Sequence, residues 1–273
     1  MSSAGRYIPM SKPVTIDTIT TLLEEIETSQ NVVILYACES GSRAWGFPSA
    51  NSDYDVRFLY LRPVEWYLSI EDKRDVIEYP IDDRLDITGW DLRKALRLLR
   101  KSNPPLLEWL GSPIVYREKY SITGKMREVA KNHYSPLTYF HHYLNTALNH
   151  FHEARNGNEI SIKEYFYTLR TILAVQWIEA GFGLVPTEFG ILLERMVSAP
   201  ILKDEIQNLM ALKKTGTEAD GISLIPAINE FIESELARLE NKQPAYKNDV
   251  APFETLDAIF RGALSEVWND SPA

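Results

Sequence analysis

The sequence predicts an α+β fold, with a mixed-sheet core over residues 1–125 followed by a helical domain over residues 126–273. Three observations predict it. Apolar runs of strand length, Val32 to Ala37 and Val56 to Leu61, are confined to the first part of the chain. Two further strand-like segments flank Asp82-Asp83, in the pattern of a hairpin. Past about residue 130 the strand pattern fades and long stretches with helical periodicity take over.

Taken in order, residues 15–28 place Ile16, Ile19, Leu22, Leu23 and Ile26 on one helical stripe. Asn31 to Cys38 is nearly continuous in apolar residues, as expected for a strand covered on both faces. Asp53 to Leu61 is the next strand, ended by Arg62-Pro63, and Val64 to Ile70 is a short helix. Asp75 to Ile81 and Arg84 to Gly89 form the hairpin. Asp91 is placed to cap a basic helix that Asn103-Pro104-Pro105 stops, and Leu106 to Gly111 adds a further turn or two. Ser135-Pro136 opens a long helix, with proline at its first position, that runs toward Arg155. Ser161 and Glu164 form a capping box for the helix that ends at Gly181. Further helices are expected near 187–197, 200–213, 226–241 and 252–268.

Bulk properties narrow the function classes. The 45% hydrophobic composition supplies a core, and no apolar run approaches the roughly 20 residues of a membrane span. The opening stretch MSSAGRYIPMSKPV lacks the apolar middle of a secretion signal. The single cysteine, Cys38, excludes an internal disulfide framework and suits a reducing cytoplasm; at the end of a strand it reads as packing. Net charge is −9, which does not favour a protein that grips a long nucleic acid. The charge is uneven, however. Residues 201–273 carry 7 basic and 13 acidic side chains, whereas residues 91–101 carry five basic and one acidic. On a helix there, Leu92, Ala95, Leu96 and Leu99 form one stripe and Arg93, Lys94, Arg97, Arg100 and Lys101 another. That basic stripe is either a solvated face or a contact for polyphosphate or an RNA backbone.

The most informative segment is YACESGSRAWGFPSANSDYDVRFLY, Tyr36 to Tyr60. A buried-looking strand leads into Gly41-Ser42, and Asp53 and Asp55 open the next strand. Strand residues two apart project to one face, so the two carboxylates can hold one or two hard cations. Mg²⁺ prefers a few carboxylates plus substrate phosphates, and Mn²⁺ is a workable substitute. Glycine lets backbone approach a phosphate closely, and N–H groups of the turn can grip it. An Asp-x-Asp pair alone is common on surface turns. The Gly-Ser turn ahead of it, after a buried strand, is what makes the combination suit metal-dependent nucleotidyl transfer.

This wording resembles the DNA polymerase beta-like nucleotidyltransferase superfamily, whose hallmark is Gly-Ser or Gly-Gly, a spacer and then Asp-x-Asp. Within it, GSRAWGFPSANSDYDVRFLY, DITGWDLRKALRLLRKSNPPLLEWLGSPIVY and KEYFYTLRTILAVQWIEAG are similar to the predicted nucleotidyltransferases of the RNA repair pathway polymerase beta type. The resemblance spans about residues 30 to 190 without a departure at the motif positions. It implies a polymerase beta-like catalytic core and a third carboxylate on a strand beside the Asp-x-Asp strand. Asp86 is the candidate, since it alternates with Leu85 and Ile87; Asp82 and Asp83 read as turn residues and Asp91 as a cap. Asp53, Asp55 and Asp86 would then hold two metals roughly 4 Å apart. Gly41 and Ser42 would hold the β/γ-phosphates of a nucleoside triphosphate such as ATP.

Arg43 and Arg57 can each touch phosphate, and Arg57 can equally neutralise the carboxylates. Trp45 and Phe47 read as a loop anchor or a stacking surface. Lys163, Tyr167 and Arg170 share a helix face at i, i+4, i+7 spacing, opposite a core stripe of Phe166, Leu169, Leu173 and Trp177. The resemblance implies that the helical domain lends such groups to the triphosphate and base in the nucleotide cleft. All five histidines lie between 133 and 152, but His141 and His152 would be roughly 16 Å apart along one helix, too far for one zinc. The expected protein is a cytoplasmic Mg²⁺-dependent nucleotidyltransferase with an RNA end as first-choice acceptor. A small-molecule or protein hydroxyl is the second acceptor reading, and a nucleotide-binding regulator without turnover the non-enzyme one. The sequence leaves oligomeric state open.

Overall fold

The computed structural model describes residues 14–49, 51–82, 84–154, 159–215, 222–242, 244–246 and 249–268. The elements run α1 (Ile16–Gln30), β1 (Val33–Glu39), α2 (Gly41–Trp45), β2 (Tyr54–Leu61), α3 (Val64–Tyr67), β3 (Val76–Asp82), β4 (Leu85–Asp91), α4 (Leu92–Arg100), α5 (Pro104–Leu110), β5 (Val115–Glu118) and α6 (Ile122–Asn132). They continue as α7 (Pro136–Ala154), β6 (Glu159–Ile160), α8 (Ile162–Glu179), α9 (Phe189–Met196), α10 (Pro200–Lys214), β7 (Ile222–Ser223), α11 (Pro226–Glu240) and α12 (Phe253–Trp268). This is the α+β arrangement expected from the sequence. The chain forms two compact units. One comprises Met1–Ala44, Asp53–Tyr134 and Val250–Ala273; the other comprises Trp45–Ser52 and Ser135–Asp249.

In the first unit a five-stranded mixed sheet has the order β3-β4-β2-β1-β5. β1 runs antiparallel to both β2 and β5, β2 runs parallel to β4, and β3 closes an antiparallel hairpin with β4. β1 lies between β2 and β5 and is buried on both faces, which is why its apolar run is continuous rather than alternating. α1 starts at Thr15, whose hydroxyl accepts the Thr18 N–H, and stops at Asn31 in the left-handed region. Its stripe of Ile19, Leu22, Leu23 and Ile26 packs with Ile34, Val56, Phe58, Tyr60, Ile77, Leu85 and Ile87 in one core. Each such aliphatic side chain contributes roughly 1.5–3 kcal/mol by leaving water. Cys38 is also fully buried in β1, and burial pushes its thiol up to about 12, which disfavours the thiolate.

β5 has no counterpart in the expected elements: it is four residues long, at a sheet edge, with no fully buried position. α12 also joins this unit, packing on α4 and α6 through Leu256, Ile259, Ala263 and Val267. The division is therefore discontinuous, where the sequence suggested one boundary at 125/126. An amphipathic helix declares that it has a buried face but not which neighbour covers it.

Among its described residues the second unit is built of helices and the two-residue pair β6–β7. α8 is its centre and packs against α7, α9 and α11. Ser161 caps α8 as expected, its hydroxyl accepting the Glu164 N–H. Tyr165 fixes α8 to α11: its hydroxyl donates to Asn229 Oδ1 and accepts the Ile225 N–H, both at 3.0 Å. The Trp45–Ser52 stretch also belongs here. Phe47 is fully buried, stacked on Phe166 at 4.7 Å and edge-on to Phe189, so it anchors the spacer.

Candidate active site

The parallel register of β2 on β4 sets Asp55 directly opposite Asp86. Along β4, Leu85 and Ile87 are buried while Asp86 is exposed, because successive side chains alternate across the sheet. One guanidinium lies between the two carboxylates. Arg57 Nη2 donates to Asp55 Oδ1 at 3.0 Å and to Asp86 Oδ2 at 2.8 Å, and Nη1 donates to the carbonyls of Val56 and Asp86 at 3.2 Å. Of the two uses the sequence allows Arg57, neutralising the carboxylates is the one this geometry displays.

Asp55 is held on its backbone as well. Its N–H donates to Glu39 Oε1 at 2.8 Å, and its carbonyl accepts the Ser40 N–H at 2.8 Å. Its carboxylate lies against the bare Cα of Gly41. A Cβ there would sit 2.2 Å from Asp55 Oδ2, and the φ of +58° is a second reason for glycine. Ser42 follows Gly41 within α2. Asp53 lies just outside β2 and is exposed; its carbonyl accepts Arg43 Nε at 3.0 Å. The Arg43 guanidinium stacks 3.7 Å over Tyr54.

Sequence reasoning passed over Glu39. Its carboxylate is fully buried at the end of β1, accepting from Asp55 N–H and from the Tyr116 hydroxyl. Burial raises its pKa, and those two hydrogen bonds pull it back. The available sign was a charged residue closing an otherwise apolar strand beside Gly-Ser. Ser112 supports the same corner, its hydroxyl donating to the Glu39 carbonyl at 2.6 Å.

Among the described residues no group of three His, Cys, Asp or Glu side chains is placed to hold a metal ion. The fit to a divalent cation rests on donor chemistry. Asp55 and Asp86 present carboxylate oxygens, the donors a hard cation takes, around a position where Arg57 supplies the positive charge.

The helical unit holds the remaining predicted residues on α8. Lys163 is exposed, with Nζ 5.5 Å from the Tyr167 ring. Tyr167 meets Trp45 edge-on at 5.2 Å and lies 5.1 Å from His150, whose Nδ1 is 3.0 Å from Glu164 Oε2. Arg170 is buried, its guanidinium 4.4 Å over Trp45. The expected polar face is thus partly interior: Tyr167 and Arg170 both pack on Trp45 of the spacer. His152 and Asp83 lie outside the described side chains, as does the side chain of Asp82.

The chain is 47% identical over 251 residues to the uncharacterized protein YcgL of Bacillus subtilis (strain 168), covering 91% of this chain and 96% of that protein. A nucleotidyltransferase-like protein from Exiguobacterium sibiricum 255-15, solved by crystallography at 1.90 Å, aligns over 93% of this chain and 90% of that one. Its 11% identity and TM-score of 0.30 are too low to carry an argument. Residues 16–262, which include the whole Gly-Ser to Asp86 region and α8, match the RNA repair pathway DNA polymerase beta family, RlaP. The chain belongs to that family.

Proposed function

We propose that the protein is a Mg²⁺-dependent nucleotidyltransferase. It moves a nucleoside monophosphate from a nucleoside triphosphate, ATP first among those to test, to a hydroxyl acceptor and releases pyrophosphate. The observation that carries this reading is the Asp55–Asp86 pair, in register on adjacent parallel strands with Gly41 packed bare against one carboxylate. Asp53, Asp55 and Asp86 would hold the Mg²⁺, or Mn²⁺ in its place. When bound, the metal would neutralise triphosphate charge and, as a pair, stabilise the attacking and leaving oxygens.

The chain's own groups have separate tasks. Glu39 and Ser40 fix the Asp55 backbone, so its carboxylate keeps one direction. Asp86, more exposed than Asp55, is the base for the acceptor hydroxyl. Gly41 and Ser42 take the phosphates, and Arg43 steadies the entry to β2. Lys163, Tyr167 and Arg170 are read as nucleotide groups presented by α8, where the last two pack on Trp45.

Family membership makes an RNA end the first acceptor to test. The net charge of −9 favours the second reading, a small-molecule or protein hydroxyl. A regulator without turnover would have no need of a paired Asp55 and Asp86. Incubating the protein and Mg²⁺ with each labelled nucleoside triphosphate and total small RNA, then identifying what becomes labelled, tests all three. Labelled RNA with pyrophosphate release is the expected result. Pyrophosphate release with only a small molecule or protein labelled selects the second acceptor class, and nucleotide binding without any release selects the regulator.

A further inference from the structure

The second end of the β2–β4 pair carries a cluster that the proposed reaction does not use. Arg62 follows β2, Lys73 lies in the turn after α3, and Arg93 opens α4. All three converge on the half-buried Trp66. The guanidinium carbons of Arg62 and Arg93 are 5.3 and 6.0 Å from its ring centroid, and Lys73 Nζ is 5.8 Å away. The frame behind them is firmly tied. Tyr67 donates its hydroxyl to the buried Asp91 at 2.7 Å and accepts the Arg62 N–H at 3.0 Å; Trp268 Nε1 donates to the Arg62 carbonyl at 3.1 Å. Asp91 itself also caps α4 through the Arg93 N–H.

Arg62 Nη1 donates to the Gln30 carbonyl, which holds its guanidinium in place, and among the described residues none of the three cations has a carboxylate within ion-pair distance. Their neighbours do have partners: Lys94 pairs with Asp75 at 3.0 Å, and Arg100 stacks 4.0 Å over Phe253. Arg97, one turn beyond Arg93, is exposed. Like charges drawn to one indole repel each other, and cation–π attraction offsets only part of that. An anion bound there would supply the rest. The same turn exposes Leu68 and Ile70, so the surface offers apolar faces together with positive charge. Glu65, Glu71 and Asp72 border it in sequence and restrict it to a few phosphates.

We infer that Arg62, Lys73 and Arg93 around Trp66 bind the backbone of single-stranded RNA, several nucleotides from the end that reacts. This rests on the RNA-acceptor reading above. Because β2 and β4 are parallel, Asp55 and Asp86 mark one end of the pair and Arg62 and Arg93 the other. At about 3.3 Å per residue, the strand from Asp55 to Arg62 covers roughly 20 Å. A single strand of several nucleotides spans that, within the usual site sizes of such grooves. Free polyphosphate would not use Leu68 and Ile70, and duplex RNA would present its charge over a far larger footprint than three cations serve.

The test is binding of a labelled single-stranded RNA of about 12 nucleotides to the full chain, with EDTA and without nucleotide, across a salt series. Three phosphate contacts at about 0.7 each predict a log–log slope near −2. Lys73→Ala and Arg93→Ala should each flatten the slope by about 0.7, and the double variant should lose on the order of tenfold or more in affinity. Triphosphate affinity in Mg²⁺ and the melting temperature should not move. Trp66→Phe should bind nearly as the parent does. RNA of about three nucleotides should bind the parent more weakly than the longer RNA and with a shallower slope, because it offers fewer phosphates to the cradle. Parent and double variant binding the longer RNA with the same slope, or no RNA binding by the parent, would overturn the inference. So would tripolyphosphate or poly-glutamate competing as well as RNA per charge. Metal-free binding separates this from the reaction: RNA binding lost in the variants without any transfer to RNA keeps the cradle and removes the acceptor reading. Transfer to RNA at unchanged RNA affinity in both variants does the reverse.

Discussion

The two ends of the β2–β4 pair are built alike and charged oppositely. At one end two carboxylates, Asp55 and Asp86, share a single guanidinium. At the other end Arg62, Lys73 and Arg93 surround Trp66 with no carboxylate in ion-pair range among the described residues. Both are set by the same register, which pairs Asp55 with Asp86 and Tyr60 with Asp91. The carboxylate end holds its own countercharge, the Arg57 guanidinium between Asp55 and Asp86. At the basic end Arg62 Nη1 reaches the Gln30 carbonyl, but among the described residues no carboxylate lies in ion-pair range of the three cations. The first arrangement suits a metal that enters with its substrate, the second a polyanion.

The largest expected effect is at the carboxylate end. Asp55→Asn or Asp86→Asn should reduce transfer by on the order of a thousandfold, the several kcal/mol that metal-assisted charge stabilisation supplies. Asp53→Asn should follow them, and the fold should survive all three, as thermal melts would check. A variant of this set with full activity would break the comparison at its root. Gly41→Ala comes next. Its Cβ would meet Asp55 Oδ2 at 2.2 Å in a left-handed backbone. Strain and displacement of the carboxylate should cost about 1–3 kcal/mol of stability together with most of the activity. Equal melting temperatures for parent and variant would contradict the close approach.

Glu39 gives a paired prediction. Glu39→Ala leaves the Asp55 N–H and Tyr116 hydroxyl without their acceptor, costing about 1–3 kcal/mol and loosening Asp55. Glu39→Gln keeps an acceptor for Asp55 and should retain far more activity. The sign of the pH effect follows from burial. The raised pKa of Glu39 means that the folded state binds its proton more tightly than the unfolded state does. Stability from this group is present below the ordinary glutamate value of 4.5 and is lost as pH rises above it. Glu39→Gln should remove that fall, measured as chemical denaturation across pH. An unchanged profile would contradict the buried carboxylate.

Arg57 sharpens the comparison from the other side. Arg57→Ala removes the guanidinium from between Asp55 and Asp86, so Mg²⁺ should raise the melting temperature of the variant more than that of the parent. Equal shifts would mean that Arg57 and the metal do not compete for one place. The smallest effect belongs to Lys94→Ala, a half-exposed pair with Asp75, expected to cost no more than about 0.5 kcal/mol and to leave RNA binding intact.

The carboxylate end of this contrast was more legible in the sequence than the basic end, and the gaps have physical causes. Asp86 could be read because Leu85 and Ile87 on either side demand burial. Its position opposite Asp55 could not, since a parallel register is set by the whole crossover through α3 and β3. Glu39 was hidden because an apolar run announces a strand and says nothing of an acid at its last residue. Of the basic stripe on α4, the helix and its cap were readable, but the commitment of Lys94 to Asp75 and of Arg100 to Phe253 depends on chain far away. Trp66 carried no periodic pattern, and its three cations meet only when β2 and β4 bring Arg62 and Arg93 to one end.

The central claim is that Asp55 and Asp86 form one metal-dependent transfer site. Pyrophosphate release, followed against Mg²⁺ concentration for the parent and Asp86→Asn with labelled nucleoside triphosphate and small RNA, tests it most directly. The account predicts release by the parent that saturates with Mg²⁺ and stops on chelation, and almost none from a folded Asp86→Asn at any Mg²⁺ concentration. Release by Asp86→Asn at the parent rate, or by the parent in EDTA, would contradict it.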